Sequence, residues 1–408
     1  MPEKVVLAYS GGLDTSVAIK WIQENYGLDV VALTIDLGSE RDLPSIRQRA
    51  LDVGAVDARV VDGRDLFLKY FAFPALQAGA IYERENPLAT AIGRPLIAKL
   101  LVDVAHEVGA KAVAHGCTGK GNDQVRLDVS VTALDPELKI IAPVREWKLS
   151  RPAEIEYARQ NNIPIPASVN SPYSTDVNLW GRSIEAGILE DPWQEPPAEV
   201  WLWTKNPEDA PSKAQYIDID FEQGIPTALD GEAMDGVTLV QKLNDLAGEH
   251  GIGRIDHVEN RLVGIKSREI YESPAAVVLH QAHSALEDMT LSRDQARFKT
   301  TVSNQISEMI YNGLWFSALH GDLRAFVESS QRNVVGTVRL KFFKGTSMVV
   351  GRKSPKSLYR YDLATYDEGD TFDSDAALGF IKLHGLPLQT QAKYQLSGGA
   401  MDLPKLTG

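Results

Sequence analysis

The chain has 408 residues, 44% of them hydrophobic, which suits two cores and a tail better than a single domain. Its 42 basic and 55 acidic residues leave a net charge of -13, which argues against a surface built to neutralise nucleic-acid phosphates. One cysteine, Cys117, excludes an internal disulfide and any cysteine-pair metal site; no run approaches a membrane span, and the first residues lead straight into a strand with no signal or transit segment, so a cytoplasmic protein with no membrane and no nucleic-acid partner is expected.

From residue 4 to about 162, short β-branched runs alternate with longer amphipathic ones. Strands are predicted at 5–9, 29–35, 58–61, 111–114 and 139–141, and helices at 14–26, 43–53 and 95–108. This βαβαβ order implies an α/β domain with a doubly wound parallel sheet and ligands at the carboxyl ends of its strands. The IPIP run at 163–166 breaks the preceding helix and sets a boundary, giving a nucleotide-binding domain over 1–165. A second, α+β domain is expected over 166–365. It holds a Pro- and Trp-rich loop at 191–211, a strand at 216–221, helices at 238–250, 274–289 and 293–311, and a hairpin of 334–343 with 347–350. Residues 366–408 read as a helical start at 375–383 followed by a polar tail, either frayed or docked on another subunit.

Two strand-to-helix turns carry the chemistry. The first is AYSGGLDTS: Ala8, Tyr9, Ser10, Gly11, Gly12, Leu13, Asp14, Thr15 and Ser16. At such a turn the helix N–H groups are unpaired and attract an anion, the glycines allow close backbone approach, and the hydroxyls add donors. It lacks the lysine of a Walker A loop and the spacing of a GxGxxG turn. Taken alone, the stretch has a plainer reading, in which Asp14 or Thr15 only caps a helix. The second turn, HGCTGKGNDQVR at 115–126, combines three glycines with Lys120, Asn122, Asp123 and Arg126, a dense set of donors and acceptors.

The first stretch resembles the SGGxD[ST] pyrophosphate loop of the N-type ATP pyrophosphatases, and with the second it resembles the argininosuccinate synthase family. The motifs NLWGRS (178–183), GRID (253–256), VENR (258–261), KSREIYE (266–272) and GRKS (351–354) follow in that family's order, so the likeness covers nearly the whole chain. The resemblance implies an adenine nucleotide alpha hydrolase-like domain, a synthetase domain and a carboxyl-terminal oligomerisation arm in a homotetramer. It implies ATP-dependent joining of citrulline and aspartate in arginine biosynthesis, releasing AMP and pyrophosphate through a citrullyl-adenylate. Residues 8–16, Ile35 and Gly116 would hold ATP; Thr118, Asn122 and Asp123 would hold aspartate. Asn122 would also reach citrulline, together with Arg126, Ser174, Ser183, Glu259 and Tyr271. Ser10, Asp14, Asp123 and Arg126 are the catalytic candidates. Mg²⁺ would travel with ATP, held mainly by phosphates and water, with Asp14 and Asp123 as outer carboxylates and no protein ligand assigned.

The chain departs from the family pattern at Asn86, where a tyrosine that contacts citrulline is usual, and at Ala91, where a hydroxyl is common and Thr90 is the expected substitute. Cys117 is read as a small buried residue and not a nucleophile. His106, His250, His257, His280, His283, His320 and His384 are read as structural, and His115 as a neighbour of the second loop. Other ATP-splitting enzymes of the class, which would need a glutaminase cysteine or a basic surface, and a binding protein that has lost turnover are the competing readings.

Overall fold

The structure is a computed structural model that describes residues 2–39, 41–119, 121–147, 149–165 and 171–396; Lys120, the last residue of the IPIP run and the final twelve residues lie outside it. Met1–Lys356 forms one compact unit and Ser357–Gly408 a second.

Five parallel strands make the first sheet: β1 (Lys4–Ala8), β2 (Asp29–Asp36), β3 (Asp57–Asp62), β4 (Ala112–Ala114) and β5 (Lys139–Ile141), in the order β3-β2-β1-β4-β5. β1 lies at the centre and is covered on both faces. Val5 and Leu7 pack with Ala18, Ile19 and Ile22, whereas Val6 faces the cluster that includes Ala98, Leu101 and Val102. Burial on both sides explains why β1 reads as a continuous apolar run instead of an alternating one. The chain moves outward from β1 to β3, then returns to lay β4 on the other side of β1, so a crevice opens between the carboxyl ends of β1 and β4. Both glycine-rich turns leave from those two strand ends.

The predicted strands and crossover helices are present, with one instructive difference. The helix expected from Pro95 starts at Ala89, runs to Val108 and contains Pro95 in its second turn. Gly93 and Pro95 read as breakers, but Ala89, Ala91, Ile92 and Gly93 are buried, and that burial outweighs the hydrogen bond the proline cannot give. The second motif also turns helical sooner than a loop reading suggests: Asn122–Leu134 is a helix with Asn122 and Asp123 in its first turn.

The rest of the first unit is more regular than its sequence suggests. A five-stranded antiparallel sheet joins Gln215–Glu222, Ile225–Leu229 and Glu232–Ala233 to the hairpin Gly336–Phe343/Thr346–Lys353, with helix Pro274–Thr290 packed on it. A four-stranded sheet orders Arg254–Asn260, Lys266–Glu272, Gly181–Glu185 and Ser174–Asn178. This smaller sheet is tied to the first domain through Leu179 N donating to Leu37 O (2.8 Å) and Asn178 Nδ2 donating to Ala89 O (2.8 Å). It therefore hangs over the crevice. In the second unit, helix Ser374–Tyr394 runs well past the expected end at 383 and through Pro387. It has no buried residue, so water can satisfy the carbonyl that the proline leaves unpaired.

Candidate functional site

The first turn is shaped for an anion by its backbone. Gly11 has φ 77°, and a Cβ there would come within 2.9 Å of Ile46 Cγ1, so no other residue fits without displacement. Gly12 precedes helix Leu13–Tyr26 in an extended conformation, and no side chain caps the helix, which leaves its first N–H groups open. Four hydroxyls divide their work. Tyr9 Oη and Ser16 Oγ bond each other in the interior at 2.9 Å, while Ser10 Oγ accepts from Gly12 N (3.2 Å) and meets Thr15 Oγ1 (3.1 Å) at the surface. Tyr9, Leu13 and Ser16 are thus framework, and Ser10 is the hydroxyl presented outward. Asp14 accepts from Arg151 Nη1 (2.5 Å), which also donates to Glu154 (2.9 Å). Burial and the nearby Asp14 charge push the Glu154 carboxyl up to about 7 against the opposing pull of Arg151.

A cavity of about 230 Å³ opens beside this turn, lined by Ala8, Tyr9, Ser10, Thr15, Ile35 and Gly116, among others. Six of the residues expected to bind ATP therefore meet at one wall, at the carboxyl ends of β1, β2 and β4. Gly116 lies so close to the first turn that a Cβ would sit 2.9 Å from Thr15 Cγ2. Gly11, Gly12, Leu13, Asp14 and Ser16 do not line this cavity.

Asp123 sits where the second turn becomes helix. Its two oxygens accept from Arg126 Nη1 (3.0 Å) and Arg94 Nη2 (2.7 Å), and Arg94 also donates to Asp176 (2.9 Å). Burial opposes the charge on Asp123, but the two guanidiniums outweigh it and hold the carboxyl down to about 2. It is a fixed anion and not a proton acceptor near neutral pH.

A second cavity, of about 140 Å³, lies on the other side of Asp123 and Asp176, which line both. Asn86, Thr90, Asn122, Asp123, Arg126, Ser174, Ser183, Glu259 and Tyr271 all face it. Nine of the ten residues expected to bind the amino acids are therefore brought together from five separate segments. Thr118 is the exception: it is exposed and lines neither cavity. Glu259 is buried and accepts from Asn86 Nδ2 (3.0 Å), Tyr271 Oη (2.7 Å) and Tyr311 Oη (2.5 Å), all neutral donors. It forms no salt bridge among the described residues, so its charge is left to be met by whatever enters.

Asn86 does more than replace an aromatic ring. Its Nδ2 donates to both Glu259 and Tyr271, and its Oδ1 accepts from Leu88 N (2.7 Å), the left-handed residue (φ 65°) that opens helix Ala89–Val108. The pocket is built around the asparagine. Thr90 Oγ1 reaches Ser183 Oγ at 3.2 Å, and Ala91 is buried, so the hydroxyl at this corner comes from Thr90.

Sequence reasoning missed several residues here. Arg94, in the lining of the first cavity, pairs with Asp123 and Asp176 at the wall the two cavities share; Arg261 holds Glu185 and Glu269 at the floor of the second, where burial and the Glu185 charge push the Glu269 carboxyl up to about 7. Arg261 and Glu269 stand inside quoted motifs, but only folding shows which members of a motif face inward. Cys117 is partly buried, and burial together with the Asp123 charge pushes its thiol up to about 12, which keeps it from acting as a thiolate. His280 and His283 are buried, and His283 Nε2 bonds Gln331 at 2.8 Å; among the described residues no group of three or more His, Cys, Asp or Glu is arranged to hold a metal ion.

The family model of the arginosuccinate synthase N-terminal HUP domain matches residues 4–164, and that of the arginosuccinate synthase C-terminal domain matches residues 173–391. Similar proteins include the argininosuccinate synthase of Dehalococcoides mccartyi strain ATCC BAA-2266, 60% identical over 97% of each chain. The argininosuccinate synthase of Symbiobacterium thermophilum is 58% identical over 97% of this chain and 99% of its own, and that of Oceanobacillus iheyensis 55% identical over 99% and 97%.

Proposed function

We propose that this chain, which belongs to the argininosuccinate synthase family, joins citrulline to aspartate in an ATP-dependent reaction of arginine biosynthesis. AMP and pyrophosphate leave, and a citrullyl-adenylate is the intermediate. The observation that carries this reading is the shared wall of the two cavities, formed by Asp123 and Asp176. A nucleotide beside Ser10 and Gly116 and a ureido group beside Arg126 and Glu259 would then meet at that wall, which turns an encounter of two molecules into a positioned displacement.

A ureido carbon is a weak electrophile with a poor leaving group. Attack of its oxygen on the α-phosphorus makes that oxygen part of a good leaving group, and the aspartate amine then displaces AMP from carbon. The open N–H groups at the start of helix Leu13–Tyr26 and the outward hydroxyl of Ser10 would stabilise charge gathering on the departing pyrophosphate. Asp123, held ionised between Arg94 and Arg126, would position the amine without removing its proton. Mg²⁺ would come with the nucleotide, held mainly by phosphate oxygens and water. Asp14, already engaged by Arg151, suits an outer role. Homotetramer assembly through the exposed helix Ser374–Tyr394 and a cytoplasmic location complete the proposal.

Mass spectrometry of reactions containing ATP, Mg²⁺, citrulline and aspartate, with each omitted in turn, tests it. Argininosuccinate and equimolar AMP are expected, both absent when either citrulline or ATP is withheld. AMP without argininosuccinate would mean a different amine or ureido partner, and no AMP at all would favour a binding protein.

Asn86→Tyr is expected to weaken citrulline binding, although it restores the family's usual residue. The substitution removes two donors to Glu259 and Tyr271 and the acceptor for Leu88 N, and a lost hydrogen bond to a charged group is worth about 1.5–3 kcal/mol. A rise in Kd of about tenfold or more by calorimetry is expected; tighter binding would mean that asparagine merely leaves a gap.

A further inference from the structure

We infer that Tyr311 is a positioning residue that sets Asn122 and Glu259 in register for the two amino-acid substrates, an assignment that rests on the function proposed above. Tyr311 ends helix Arg293–Tyr311, remote in sequence from both motif loops, and is almost fully buried.

Proton accounting makes the case. A phenol has one proton to give. Glu259 Oε1 lies 2.5 Å from Tyr311 Oη, and an ionised carboxylate only accepts, so the proton points there. Burial and the Glu259 charge raise the phenol far above its ordinary range, so that proton stays in place. The 2.8 Å contact between Tyr311 Oη and Asn122 Nδ2 must then be one in which the phenol accepts. At the other end of the amide, Asn122 Oδ1 lies 2.9 Å from Leu262 N, which only donates. Both ends require the same orientation of Asn122. One Nδ2 proton and one Oδ1 lone pair remain uncommitted on a side chain that lines the cavity, one donor and one acceptor for two zwitterions.

Arg126 is held by the same residue. Its Nε donates to the Tyr311 carbonyl (2.8 Å), and its guanidinium lies 4.7 Å from the phenol ring centre. The Tyr82 ring stacks parallel to Tyr311 at 3.7 Å. Just beyond the helix, Gly313 has φ 76°, and a Cβ there would be 2.7 Å from Arg126 Cα, so the turn is pressed directly on helix Asn122–Leu134. Three substrate-facing residues, two from helix Asn122–Leu134 and one from strand Arg254–Asn260, thus converge on one residue.

The test is Tyr311→Phe, which keeps the ring, its stacking and the carbonyl and removes only the hydroxyl. Steady-state kinetics should show KM for citrulline raised about 10- to 100-fold, the range set by one hydrogen bond to a charged group, and KM for aspartate raised about 3- to 10-fold, the range of a neutral one, with KM for ATP within about twofold. In an Asn122→Ala background the same change should leave KM for aspartate where Asn122→Ala alone puts it, because Tyr311 acts on aspartate through Asn122. A purely structural tyrosine would shift all three KM values together, or add its effect to Asn122→Ala; either result overturns the assignment. So do unchanged KM values in an active Tyr311→Phe enzyme. If Tyr311→Phe fails to fold, 3-fluorotyrosine at 311 replaces it. Its oxygen accepts less well, so a raised KM for aspartate supports the assignment and an unchanged one overturns it. Wild-type protein that makes no argininosuccinate would instead overturn the proposed function itself, before any variant is compared.

Discussion

Gly12→Val is expected to abolish ATP cleavage while leaving the fold intact. Gly12 has φ -74° and ψ 174°, an extended conformation that valine adopts readily, and an added Cβ would meet only Ser10 Oγ, at 3.2 Å. The backbone therefore tolerates the change. The branched side chain would stand in front of the open N–H groups of helix Leu13–Tyr26 and beside the one outward hydroxyl, where the phosphates must approach. Losing one such preorganised donor costs about 10²–10³ in turnover, and a side chain that keeps the phosphate from all of them should cost at least that much. AMP release measured beside the melting transition checks the claim. An unchanged melt with AMP formation reduced about 10³-fold or more is the expected pair of results, and near-normal AMP formation would remove the first turn from the nucleotide site. Gly11→Val is a poorer probe, since its left-handed φ and its contact with Ile46 would disturb the fold itself.

Glu272→Ala is expected to be the most destabilising single change in the second domain. This carboxylate is fully buried in strand Lys266–Glu272 and accepts from Arg182 Nη1 (2.7 Å), the backbone N–H groups of Leu202, Trp203 and Thr204 (2.9–3.0 Å) and Thr204 Oγ1 (2.8 Å). One side chain therefore anchors the Pro- and Trp-rich loop. Removing it leaves the buried Arg182 guanidinium without a counter-charge, bonded still to the Val200 carbonyl (2.6 Å), and three backbone donors without their acceptor, and breaking a buried pair in this way costs about 3–5 kcal/mol. Denaturant unfolding should show that loss, and limited proteolysis should show new cleavage within 191–211. A cost under about 1 kcal/mol would mean that the loop is held by its own packing. Because Arg182 adjoins Ser183, citrulline affinity should also fall.

The first domain was legible because its signals are local. Val5, Val6 and Leu7 announce a buried strand, and a glycine pair followed by Asp14 and Thr15 announces a turn into a helix; neither needs a distant partner to be recognised. Helix Ala89–Val108 was misplaced by six residues because Gly93 and Pro95 carry a strong local breaker signal, and only the burial of Ala89, Ala91 and Ile92 overrules it. The second domain was read only in part for a related reason. Strands Ser174–Asn178, Gly181–Glu185, Arg254–Asn260 and Lys266–Glu272 lie up to about a hundred residues apart in the chain and pair antiparallel, with polar residues at most of their positions. Only the middle ladder, Gly181–Glu185 with Lys266–Glu272, joins distant stretches; the outer two are local hairpins, and their polar composition gives no apolar alternation to recognise.

The candidate site divides along the same line. Sequence by itself determined the chemistry on offer: which turns are glycine-rich, which residues carry charge or hydroxyl groups, and, through motif order, the family. Only the tertiary structure decided how each is used. It turned Ser16 and Tyr9 inward and Ser10 outward, joined the two cavities at Asp123 and Asp176, and gave Asn86 a network in place of a ring. It also delivered Tyr311 to Asn122 and Glu259 from 189 and 52 residues away. The physical reason is that hydrogen bonds and desolvation depend on distances of a few ångströms in space, whereas local sequence signals report only what a residue does to its own stretch of backbone.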